Sequence, residues 1–144
     1  MILADVNVLV SAFRADAVHH DICRGWLQSV VDGPNRFGIS PQVLASVVRV
    51  TTHPKIFRTP SSATEALRFC RRLLDAPNST VVTPGEQHWS IFSDLCRKTG
   101  AKGNLVSDAW FAALAMEAGC EWITLDADYG RFPGLRWRGP AERG

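Results

Sequence analysis

Short unbroken apolar runs alternate along the chain with longer stretches in which apolar residues return every three or four positions, and this alternation predicts the elements. Residues 1–4, 37–40, 80–83 and 121–125 are runs of strand length, and 135–137 is a short fifth candidate. Between them the helical spacing predicts helices over 6–14, 20–31, 41–52, 61–74, 84–98 and 104–118. The punctuation agrees: Pro41 suits a first helical turn, while Asp32-Gly33-Pro34-Asn35, His53-Pro54, Ala76-Pro77-Asn78, Thr99-Gly100 and Gly119 are stops.

Strands separated by helices predict an α/β fold, a single domain with a central, mostly parallel sheet and helices on both faces. The domain is expected to occupy residues 1–140, with 141–144 a frayed tail. A chain of 144 residues buries one core, and there is no repeat or linker to suggest a second. No run approaches the length of a membrane span, and the first ten residues carry Asp5 and Asn7 but no basic segment, so no membrane association and a cytoplasmic location are expected. Cys23, Cys70, Cys96 and Cys120 are scattered among apolar segments and read as reduced core thiols. No histidine stands at metal-ligand spacing from another.

The chemistry lies in the acids. Asp108 shares a helical stripe with Leu105, Phe111, Ala112 and Ala115, where a lone carboxylate is costly unless it has a hydrogen-bond partner or a cation. Asp5 and Asp126 each follow an apolar strand at its carboxyl end, the edge of an open α/β sheet where ligands bind, and Asp128 follows two residues on. Singly, Asp5 reads as a helix cap, Asp108 as a first-turn acid facing the helix dipole, and Asp126-Ala127-Asp128 as an Asx turn. Together, acids from three elements at one edge imply a hard cation, Mg²⁺ or Mn²⁺, and through it activation of water toward phosphorus. Glu117, nine residues beyond Asp108, reads as solvated.

Four blocks carry a resemblance: Asp5-Val-Asn7-Val-Leu9; Ile39-Ser-Pro-x-Val-Leu-Ala-x-x-x-Arg49-Val-x-Thr-His-Pro54; Gly103-Asn-Leu-Val-x-Asp108-Ala-x-x-Ala-Ala-Leu-Ala115; and Thr124-x-Asp126-x-Asp128-Tyr-x-Arg131-Phe-Pro-Gly-Leu-Arg-Trp137. In this order, over nearly the whole chain, they resemble the VapC-type toxins of the PIN-domain family. The resemblance implies a PIN-like fold, a Mg²⁺-dependent ribonuclease acting on structured RNA such as tRNA or rRNA, and a cognate antitoxin. It places Asp5, Asp108 and Asp126 at the family's acidic positions as metal ligands, with Asp128 a further acid and Asn7 a supporting polar residue. One position departs: Ser46 stands where a glutamate is usual, and there is no Asp or Glu between Gly33 and Thr64. That departure keeps open a weakened or inactive RNA- or antitoxin-binding module. A haloacid-dehalogenase-like phosphatase fits less well, since Asn7 stands where its second acid belongs, as does a receiver domain, since Thr83-Pro84-Gly85 follows the third strand.

A net charge of +2 does not announce a nucleic-acid partner; its distribution matters more. Lys102, Arg131 and Arg136 flank the acids and are expected to contact RNA phosphates, whereas Arg68, Arg71 and Arg72 share one helix face away from them. The five tryptophans fall mostly in periodic apolar segments, which favours core packing over base stacking. The helices over 6–31 and 41–52 carry more apolar surface than a small domain needs, so a homodimer or an antitoxin-covered groove is expected.

Overall fold

The computed structural model describes residues 1–142. Among these, β1 (Ile2–Ala4), β2 (Phe37–Ile39), β3 (Ser79–Val81), β4 (Glu121–Ile123) and β5 (Trp137–Arg138) form one sheet in the order β3-β2-β1-β4-β5. Every pairing is parallel, with Leu3 of β1 opposite Gly38 on one side and Trp122 on the other. The helices are α1 (Val6–Phe13), α2 (His20–Asp32), α3 (Pro41–Thr51), α4 (Ala63–Asp75), α5 (His88–Thr99) and α6 (Asn104–Ala118). A five-residue 3-10 turn, Ala127–Arg131, joins β4 to β5.

The topology follows from the handedness of parallel crossovers. The chain steps from β1 to β2 to β3 in one direction, so α1 to α4 pack together on one face. It then returns across the sheet to β4, so α5 and α6 pack on the other. The strand order therefore reverses between β1 and β4, and a crevice is expected beyond the carboxyl ends of those two strands. Burial holds the two faces in place. Leu3, Val8, Leu9, Phe37, Val43, Val47, Leu114, Trp122 and Ile123 are buried, and buried Ala109, Ala112, Ala113 and Ala115 let α6 lie close to the sheet.

The sequence expectations survive with shifts of a residue or two at most ends. Pro41 opens α3 after Ser40, whose hydroxyl caps Val43 N–H, and Gly100 and Gly119 close α5 and α6 at φ of 62° and 67°. Trp122 is a core residue, but Trp89 is 66% exposed. All four cysteines are free thiols, and burial pushes those of Cys23, Cys70 and Cys120 above the usual thiol range.

Two readings need correction. The fifth helix begins at His88, not near Pro84, and Glu117 is not merely solvated. Its carboxylate accepts the amides of Gly85 (2.6 Å) and Gln87 (2.8 Å), holding residues 84–87 as a loop against α6. The tail expected to fray over 141–144 begins as a turn, in which Glu142 N–H meets the Gly139 carbonyl; residues 143 and 144 lie outside the described residues.

One side chain ties the connection from α2 to β2 onto the start of β3. The Asn78 amide nitrogen donates to the carbonyls of Val30 (3.0 Å), Gly33 (3.1 Å) and Asn35 (2.9 Å). Asn78→Ala leaves these acceptors without their donor and should cost about 1–3 kcal/mol. The expected drop in melting temperature is roughly 3–10 °C. Thermal unfolding of the variant checks it, and an unchanged midpoint would refute the tie.

Candidate active site

Asp5 stands at the carboxyl end of β1, in the reversal of strand order, and is 6% exposed. It serves two elements at once. Oδ1 accepts the Val6 N–H at 2.6 Å and caps α1, while Oδ2 accepts the Thr124 hydroxyl at 2.7 Å from the end of β4. Burial raises its carboxyl from 3.8 to about 6; the bonds from Thr124 and Val6 oppose the rise, and the charges of Asp108 and Asp126 add to it.

Thr124 knits the two loops together. Besides donating to Asp5, its hydroxyl accepts the Asp126 N–H (3.0 Å) and the Asn7 side-chain amide (3.3 Å). The Asn7 carbonyl oxygen in turn accepts the Leu125 N–H at 3.2 Å. Asn7 thus binds the first turn of α1 to the segment that carries Asp126. Asp126 itself caps the 3-10 turn, its Oδ1 accepting the Asp128 N–H at 2.9 Å.

That turn folds Tyr129 back into the core, 2% exposed, with its hydroxyl donating to Asp108 Oδ1 at 3.2 Å. Burial, and after it the charges of Asp5 and Asp108, drive the phenol far above its ordinary range, so it stays a donor at any physiological pH. Asp108 is also raised, by burial first; the Tyr129 bond opposes this and Asp126 and Asp128 add to it. Asp108 is the fifth residue of α6, in its second turn, so the first-turn dipole reading does not apply.

Asp5, Asp108 and Asp126 line one cavity of about 750 Å³, together with Asn7 and Ser46. Asp128 stands outside it on the exposed turn, 3.9 Å from Arg131. Among the described residues no three acidic, histidine or cysteine side chains are gathered tightly enough to enclose an ion by themselves. Each carboxylate accepts a hydrogen bond from its own protein donor. The arrangement still suits a hard, hydrated divalent ion, which keeps several waters and takes few protein carboxylates. The donors are oxygens, and the buried Asp5, whose ionised form burial disfavours, gains from a cation beside it.

The remaining predicted residues divide. Ser46 faces the cavity from α3, on a stripe with Gln42, Arg49 and Val50. Lys102 lies in the turn before α6, exposed and not lining the cavity. Arg136 is a correction: it precedes β5, its carbonyl accepts the Trp122 N–H, and its guanidinium donates to the Gly119 carbonyl. Those contacts put it at the amino edge of the sheet, opposite the acids. Thr124, Tyr129 and Arg49 belong to the site and were not singled out from sequence. Thr124 and Tyr129 flank the acids in Thr-Leu-Asp-Ala-Asp-Tyr, and Arg49 lies one helical turn past Ser46, so spacing could have found all three.

Comparison with known proteins gives the family and the fold. The model of the PIN domain family matches residues 2–135. Ribonuclease VapC43 of Mycobacterium tuberculosis is 39% identical over 142 residues, covering 99% of this chain and 97% of the relative. Two solved structures share the fold. One is VapBC2 from Rickettsia felis, bound to a DNA fragment from its promoter, with a TM-score of 0.69 at 19% identity, covering 96% of this chain and 98% of that one. The other is Mycobacterium tuberculosis VapC20, a Sarcin-Ricin loop cleaving toxin, with a TM-score of 0.63 at 16% identity, covering 94% and 99%.

The buried carboxylate carries a stability cost whose sign follows from its shift. Between pH 3.8 and about 6 the native chain binds the Asp5 proton more tightly than the unfolded chain does, so stability falls as pH rises through that window. Above it the full cost of the ionised group is present; below it the cost is gone. Asp5→Asn removes the charge but sets an amide NH2 where one oxygen accepts a bond, so relative to the parent the metal-free variant should gain about 1–2 kcal/mol on going from pH 4 to pH 7.5. The gain should vanish as pH drops below about 4. Melting curves of both chains across pH test this, and a pH-independent difference would overturn it.

Proposed function

The chain belongs to the PIN-domain family, and we propose that it is a metal-dependent endoribonuclease, the toxin of a type II toxin-antitoxin pair, hydrolysing phosphodiester bonds of a structured RNA such as tRNA or rRNA. The supporting observation is the meeting of three carboxylates, from the ends of β1 and β4 and the second turn of α6, on one cavity. Asp5, Asp108 and Asp126 would hold Mg²⁺, with Mn²⁺ able to replace it. When bound, the cation offsets the charge of carboxylates and phosphate and makes water a competent nucleophile near neutral pH.

The chain's own residues prepare this chemistry. Thr124 orients Asp5 and brings the Asp126 backbone against it, so the two strand ends present their acids at a set separation. Tyr129, held protonated by burial, keeps Asp108 turned toward the cavity. Asn7 prevents the β4 loop from drifting off α1. Asp128, at the rim, adds negative potential that favours the cation. Such preorganisation leaves little rearrangement to the moment of reaction.

Partners follow from the same reading: a cognate antitoxin, a second copy of the chain as a homodimer, and RNA, in the cytoplasm. Val18, Ile22 and Leu67 are large apolar side chains at the surface of the first face, where a protein partner has something to cover. No helix of the described residues is long and apolar enough to cross a membrane.

A second reading rests on Ser46. A cavity with no acid from α3 has one negative wall fewer and should hold a cation more weakly, which suits a module that binds RNA or antitoxin without cutting. Incubation of total cellular RNA with the purified chain separates the two, using Mg²⁺, Mn²⁺, EDTA, and the Asp108→Asn variant. Discrete metal-dependent ends that fall at least about a hundredfold in the variant would support the nuclease. RNA bound but uncut under every metal would favour the module.

A further inference from the structure

We propose that Arg49 is the phosphate-holding residue of the cavity, gripping a backbone phosphate of the RNA while the acids address its neighbour; this deepens the ribonuclease reading and rests on it. The two walls of the cavity differ in character. Asp5, Asp108 and Asp126 make one wall acidic, whereas α3 presents an amide, a hydroxyl and a guanidinium from Gln42, Ser46 and Arg49. Residues 42, 46 and 49 are spaced four and three apart, so they form one stripe along the helix, and that stripe carries no negative charge.

Arg49 is exposed, and among the described residues its guanidinium forms no ion pair, although three carboxylates line the same cavity. Each of those carboxylates is already engaged, Asp5 by Thr124 and Val6, Asp108 by Tyr129, and Asp126 by the Asp128 amide. A planar fork of donors left unpaired beside an acidic centre matches the geometry of a phosphate better than an ammonium would. The competing cations are placed less well: Arg131 is near Asp128, Arg136 is at the opposite edge, and Lys102 is outside the cavity lining. Ser46 contributes by what it lacks. An acid there, one turn from Arg49, would pair with the guanidinium and repel the phosphate; a hydroxyl leaves the arginine free and can donate to a phosphate oxygen.

The test is binding of a fluorescein-labelled, mixed-sequence oligoribonucleotide to the Asp108→Asn chain over a series of KCl concentrations, with Arg49 intact or replaced. Arg49→Gln should weaken binding about tenfold at moderate salt and lower the slope of log K against log salt by about one. Arg49→Lys should keep the slope and recover part of the affinity, since the charge remains and the fork is lost. In the cleaving chain, Arg49→Gln should raise KM more than it lowers kcat. An unchanged slope and affinity in Arg49→Gln overturn the proposal while leaving the nuclease reading intact if the parent chain still cuts RNA. A slope that falls equally in Arg49→Lys overturns it too. A parent chain that neither binds nor cuts RNA overturns both.

Discussion

The structure turns on a carboxylate held in the seam between two parallel strands. Asp5 ends β1 and Thr124 ends β4, and the hydroxyl-to-carboxylate bond between them spans the point where strand order reverses. Crossover handedness creates that seam; it would exist for any side chains on this topology. A threonine and an aspartate there turn a gap between helix layers into a polar cleft. The hydroxyl satisfies one oxygen of Asp5 and the start of α1 the other, so the acid can be buried without a counter-charge in the protein. The cost appears as a raised carboxyl group, and its benefit as a site predisposed to a cation.

Other features depend on that seam. The same hydroxyl accepts the Asp126 amide, and Asp126 caps the turn that returns Tyr129 to the core, where it meets Asp108. A short polar chain therefore runs from β1 through β4 and the 3-10 turn to α6, and each acid is oriented by a neutral donor. Neutral donors hold the carboxylates without cancelling their charge, as an arginine would. A site that attracts a cation and a polyanion together, as proposed, would need that distinction, which a salt-bridged cluster of the same acids would lose.

Much of this could be read from the chain. The elements were legible because apolar runs and helical spacing do not overlap here, and Pro41, Gly100 and Gly119 mark boundaries for clear stereochemical reasons. Asp5 and Asp126 were legible because a strand end in an α/β sheet is a special address, and Asp108 because an acid on an alanine-rich stripe is out of place. What was missed depends on contacts between distant segments. Glu117 reads as solvated in the sequence because only the fold brings the amides of Gly85 and Gln87 to it. Arg136 follows the acids in sequence and so reads as their neighbour, but the segment after the 3-10 turn carries the chain back to the amino edge, where β5 begins, before Arg136 is reached. The exposure of Trp89 and the position of Arg49 likewise follow from which side of a helix meets the sheet, which one helix's periodicity does not settle alone.

Ser46, which stands where the resemblance leads one to expect an acid, is best understood through its neighbours. Removing one carboxylate from a cavity that keeps three lowers its attraction for a cation but also lowers the repulsion felt by a phosphate. The two effects oppose each other, and which prevails depends on what else that wall carries. Here it carries an arginine that forms no ion pair among the described residues, so on the proposed reading this wall attracts a phosphate that an acid at position 46 would repel. A solvated divalent ion can accept fewer protein ligands by keeping water, whereas a phosphate backbone has no such substitute for a missing cation at the rim. On the proposed reading the cavity then divides its labour: acids from the sheet edge and α6 would serve the metal, and the helix across from them the RNA.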